Sequence, residues 1–66
     1  MNMRLFEVMR NRGLKQSQLC HLIRSIGGVP RDEGYLSRII NERIEPNARH
    51  KYWIARALGV DEEHIF

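Results

Sequence analysis

The chain has 66 residues, enough for one domain (1–66) and too few for a second. Eleven Lys and Arg against eight Asp and Glu leave a net charge of +3, a mild basic excess that admits nucleic acid as a partner without naming it. The apolar share of 42% excludes a disordered chain, the lone Cys20 excludes an internal disulfide, and no apolar run reaches the roughly 20 residues that span a bilayer.

The opening MNMRLFEVMR lacks a long apolar stretch and a small-residue cleavage site, so it is read as part of the domain and not as a signal peptide. Apolar residues recur at helical spacing and nowhere alternate in twos, which predicts helices and no strands. Leu5, Val8 and Met9 stand at i, i+3, i+4 and define a first helix over about 2–12, stopped by Gly13. Leu19, Leu22, Ile23 and Ile26 form the cleanest stripe, on a second helix over about 16–26 that Gly27 ends. The third helix begins within 30–34, with either Pro30 as its first residue or Asp32 as its N-cap. It carries Leu36, Ile39 and Ile40, ends near Asn41, and is weakened by about 1 kcal/mol at Gly34. Asn47 caps a fourth helix over about 48–58, with Ile54, Ala55 and Leu58 inward and Gly59 at its end. Asp61 then caps a short last turn, DEEHIF. Five helices joined by short loops predict an all-α bundle.

The second and third helices are both amphipathic and are separated by a glycine-containing turn, as in a helix-turn-helix unit. Three segments carry a more specific signal. LKQSQLC at 14–20, YLSRIINERIEPN at 35–47 and IARALGV at 54–60 followed by DEEHIF resemble, in order, the second helix, the recognition helix with its loop, and the closing helices of the lambda-repressor-like (XRE/Cro-type) transcription regulators. The resemblance covers nearly the whole chain. It implies a five-helix lambda-repressor-like DNA-binding domain.

The chain departs from the family pattern at several points. Between Cys20 and Ser37 it is about six residues longer, with the surplus in RSIGGVPRDEG. Because Ile26 continues the apolar stripe, the surplus is read as one more turn of the second helix plus a lengthened helix-turn-helix turn. Met9 and Ile40 stand where the family commonly has an Arg and a Glu that pair inside the core, and replacing both partners by apolar groups is tolerated where losing one is costly. Lys15 replaces a capping Thr, and Lys51 falls on a core Leu position. Either the Lys51 stem snorkels along the core or Tyr52 and Trp53 take over that contact. Cys20 stands where the family has a small buried Ala, which suits a packed thiol.

The candidate phosphate contacts are Lys15, Gln16, Asn41 and Arg43. Gln16 would open the second helix, where exposed N–H groups attract an anion, and the resemblance puts the family's phosphate-gripping Gln there. The candidate base contacts are Glu33, Gly34, Ser37 and Arg38 on the outward side of the third helix, with Arg31 and Tyr35 at its start. Arg38 can fork onto guanine O6 and N7, and Glu33 can accept from cytosine N4. A competing role for Arg38 is an ion pair with Glu42, four residues on.

The expected partner is double-stranded DNA, bound in the major groove through the helix at about 31–41. The expected protein is a cytoplasmic, nucleoid-associated transcriptional repressor, acting as a homodimer on half-sites about one helical turn apart. Trp53, Val60, Ile65 and Phe66 are the apolar residues that motivate a dimer. His21, His50 and His64 have no metal-ligand spacing, and neither a phosphate cradle nor a carboxylate pair is present. No cofactor, metal, small-molecule ligand or enzymatic activity is therefore expected. The alternative is a protein-interaction module of antitoxin or anti-repressor type, motivated by the mild charge, by Asp32 and Glu33 at the reading end and by the remodelled turn.

Overall fold

A computed structural model describes all 66 residues and contains five helices and no strand: α1 (Met3–Asn11), α2 (Gln16–Ser25), α3 (Glu33–Ile40), α4 (Ala48–Leu58) and α5 (Glu62–Ile65). Three of the four apolar stripes lie where their spacing puts them. Leu5, Val8 and Met9 of α1, Leu36, Ile39 and Ile40 of α3, and Ile54, Ala55 and Leu58 of α4 are all buried in one cluster. Met9 and Ile40 are 4% and 2% exposed, so neither position asks for a charged partner. Helix α2 packs against α3 and α4, and α5 closes the bundle against α1 and α4.

The second helix corrects the expected stripe. It buries Leu19, Cys20 and Ile23, leaves Leu22 half-buried, and stops at Ser25 with Ile26 as a C-cap residue that is 42% exposed. The extra turn inferred from Ile26 is therefore absent. Gly27 takes a left-handed φ of +76°, and the N–H of Gly28 donates to Ile23 O at 2.8 Å, so the chain reverses at once and position 26 never reaches the core.

The ends of α1, α3 and α4 are closed by the same kind of bond. The N–H groups of Leu14, Arg43 and Val60 donate back to Met9, Arg38 and Ala55 carbonyls at 2.8, 2.8 and 3.1 Å. At three of the four ends the left-handed residue is a glycine: Gly13, Gly27 or Gly59. At the end of α3 it is Glu42, with φ +59°. An L-residue in that region costs roughly 1–2 kcal/mol more than glycine would.

Helix starts are set by side chains. Asp32 is the N-cap of α3 and accepts from Gly34 N at 3.1 Å, while Pro30 lies buried ahead of it, which decides between the two expected starts. Asn47 caps α4 by accepting from His50 N at 2.8 Å. Asp61 occupies the N-cap of α5, yet its side chain makes no capping bond there.

Asn2, which the apolar pattern does not single out, ties three helices together. Its Oδ1 accepts from Leu5 N at 3.0 Å, its Nδ2 donates to Ile65 O at 2.7 Å, and its backbone N–H donates to Ile40 O at 2.8 Å. The C-terminal apolar residues are used internally as well. Ile65 is fully buried, and Val60 and Phe66 pack against the core, so these three offer little free apolar surface to a second copy.

Candidate nucleic-acid interface

The outward side of α3 follows from its buried side. With Leu36, Ile39 and Ile40 inward, Gly34, Ser37, Arg38 and Asn41 fall on one opposite stripe at i, i+3, i+4 and i+7. Glu33, Gly34, Arg38 and Asn41 are exposed, and Ser37 is half-buried. The chain contains two ion pairs, and Arg38 is in neither. Glu42, its competing partner, instead sits 3.7 Å from the Met1 ammonium, and Glu45 sits 4.0 Å from Lys51 Nζ. Both acids of the loop after α3 are thus beside a cation, while Arg38 and Arg43 remain unpaired and exposed.

The other candidates separate into groups. Lys15 is the exposed N-cap of α2 and supplies no capping acceptor; its backbone N–H instead donates to Gln18 Oε1 at 2.8 Å. Gln18 thereby restores half of the cap that a Lys cannot provide. Gln16 opens α2 and is half-buried, with its Oε1 buried and unpartnered. Arg31 is exposed, and its carbonyl accepts from the Cys20 thiol at 3.2 Å. Asn41 turns its amide back onto α3, donating to Ser37 O at 2.9 Å and Oγ at 3.4 Å, so its donors are already engaged. Tyr35 is drawn inward, packed on the core and edge-on to His50 with ring centroids 5.0 Å apart. It supports the start of α3 and does not stand free on its outer face.

Several contacts that position this surface join residues far apart in the chain. Trp53 of α4 lies against Gly28, where a Cβ would come within 2.8–2.9 Å of three ring carbons. Only glycine fits under that ring. Cys20 holds the other end of the same turn through Arg31, and the Val29–Pro30 peptide between them is cis. His50 braces Tyr35, and burial first, with the neighbouring Arg49 second, holds its imidazole below the ordinary value of 6.5. Lys51 is half-buried with its ammonium near Glu45, as expected of a snorkelling stem. A pair such as Gly28 and Trp53, 25 residues apart, leaves no local signal in the sequence.

Behind the loop after α3 lies an open groove of about 520 Å³, lined in part by Arg4, Arg43 and Lys51 and by Glu42 and Glu45. The two signs of charge mix there, so the groove has no single electrostatic preference. No helix is long and apolar enough to cross a membrane. Compared with family models, curated proteins and solved structures, the chain has no significant match.

Proposed function

We propose that the chain is a lambda-repressor-like, sequence-specific DNA-binding regulator. In this reading α3 enters the major groove while the start of α2 and the loop at 41–43 rest on the phosphates. One observation carries it. The outer stripe of α3 presents Gly34 and Arg38, exposed and free of ion pairs, beside a loop whose own acids are paired and whose Arg43 is not. Arg38 is the base-reading candidate, and Lys15, Gln16 and Arg43 are the phosphate candidates. Asn41 contributes only after its amide leaves Ser37.

Size supports a pair of copies. The molecule measures 24 × 24 × 20 Å, shorter than the roughly 34 Å between successive major-groove faces on one side of a duplex. One copy reads one groove, and a homodimer on a near-palindrome reads two. Repression by occupancy, in the cytoplasm at the nucleoid, is the corresponding biological role. The competing reading, an interaction module with little DNA affinity, draws on the exposed acids Asp32 and Glu33 at the leading end of α3.

Selection from random duplexes decides between the two. The DNA reading expects a consensus and an affinity whose logarithm falls with log salt by about 0.9 per phosphate contacted. Arg38→Ala should relax preference at one base pair, while Lys15→Ala and Arg43→Ala should weaken all sequences alike and lower the salt slope. A pool that yields no consensus and no slope would hand the function to the interaction module.

A further inference from the structure

Helix α4 has an outer face that the core does not explain. Lys51, Ile54, Ala55 and Leu58 point to one side, and the opposite stripe is Arg49, Tyr52, Trp53 and Arg56 at i, i+3, i+4 and i+7. Tyr52 is 48% exposed on the solvent side of a helix, and its Oη accepts from Arg56 Nη1 at 3.3 Å. Trp53 stands edge-on to it, with ring centroids 5.2 Å apart, and remains half-exposed even with Gly28 beneath it. The 42%-exposed Ile26 is two residues before Gly28. No acid occurs anywhere on α4, and neither Arg49 nor Arg56 has an ion-pair partner. Arg, Tyr and Trp are the residue types that concentrate binding energy at protein interfaces.

The complementary charge is on the same chain. Asp61, Glu62 and Glu63 at the start of α5 are all exposed, and none takes part in either ion pair. They begin five residues after Arg56, with Gly59 turning the chain between them. The geometry points to a second copy of this chain as the occupant of the α4 stripe, with the 61–63 acids of each copy seated on Arg49 and Arg56 of the other. Made reciprocally, with the same patch used on both copies, such a contact is isologous and suits a two-fold dimer. A standard interface of about 800 Å² per copy is under a fifth of the 4340 Å² of accessible surface. A duplex is the poorer occupant, since a phosphate backbone offers Tyr52 and Trp53 no apolar surface. This deepens the homodimer of the proposed function and rests on that part of it alone.

Sedimentation equilibrium without DNA tests it, at low and high salt. The wild type should dimerise in the range of tens of micromolar and weaken at least tenfold between 50 mM and 0.5 M salt. Arg49→Glu/Arg56→Glu should abolish self-association, as should Glu62→Lys/Glu63→Lys, which leaves the Asp61 N-cap in place. Mixed together, the two variants should form a heterodimer. Circular dichroism checks that each is helical, and Arg49→Gln/Arg56→Gln gives a milder pair of changes on α4 alone, expected to weaken the dimer severalfold. A wild type that stays monomeric at millimolar concentration would overturn the inference. So would stripe variants that dimerise like the wild type, or stripe variants that lose only duplex binding. A monomer that still selects a consensus sinks this interface and spares the DNA reading, while a dimer without a consensus does the reverse.

Discussion

The two connections that flank α3 are built on opposite plans. The turn before it, 26–32, is treated as core. Gly28 and Pro30 are buried, Trp53 lies against Gly28, the Cys20 thiol holds the Arg31 carbonyl, and Asp32 caps the helix. The loop after it, 41–47, is mostly exposed, and its left-handed corner is a glutamate where the other three helix ends use glycine. The Gly-Gly-Val-Pro turn, part of which the apolar spacing assigns to an extra turn of α2, is the better-held side. Conformational cost is kept on the other side, next to Asn41 and Arg43. Under the DNA reading, that is where a phosphate-contacting loop gains most from a fixed backbone.

The largest expected effect comes from disturbing the held side. Gly28→Ala puts a methyl about 2.8 Å from the Trp53 ring, and it should cost about 2 kcal/mol of stability by overpacking, with a change in Trp53 fluorescence. Urea denaturation measures the cost; an unchanged midpoint would show that Trp53 moves aside freely and that the turn is not clamped. Cys20→Ala removes a fully buried thiol and leaves the Arg31 carbonyl without its donor, for a loss of about 1.5 kcal/mol by the same measurement.

The exposed side should respond in the other direction. Glu42→Gly relieves the φ of +59° and forfeits only an exposed ion pair, so stability should rise by about 0.5–1 kcal/mol. Under the DNA reading it also removes an acid beside Arg43, and low-salt duplex affinity should increase severalfold. A fall in stability would mean that the Met1 contact outweighs the strain.

The smallest effect concerns His50, which braces Tyr35 from α4. Its folded-state pKa is depressed, so the unfolded chain takes up the proton first as pH falls. The stability that neutral His50 supports is therefore complete above about pH 6.5 and declines as pH drops through that value towards the folded pKa. Melting temperatures of the wild type and His50→Gln between pH 7.5 and 5 should diverge in slope, with the wild type falling faster. Parallel curves would leave His50 without a role in the acid response.

Much of the fold was legible because the apolar residues of α1, α3 and α4 allow only one helical face. In α2 they allow two. Leu19 and Ile23 are buried as expected, and so is Cys20, whereas Leu22 and Ile26, which extend the same spacing, are half-buried and exposed. The neighbouring helices decide otherwise, because the reversal at Gly27 removes Ile26 from their reach. The candidate site was legible to the same extent. Arg38, Gly34 and Arg43 are where the pattern placed them, whereas Tyr35 and Asn41 are occupied by His50 and Ser37. Neither contact is implied by spacing, since each depends on which rotamer finds a partner.

By itself the sequence determined the helices, most of their ends and three of the four buried stripes, because these depend on residues within one or two turns of each other. Tertiary structure alone decided that the long turn is clamped by Trp53 and Cys20, that Asn2 joins three helices, and that Ile65 belongs to the core. It also left an arginine–aromatic stripe on α4 facing outward. These outcomes join residues far apart in the chain. Each follows from which surfaces meet when the helices close around one core, and no local pattern records that.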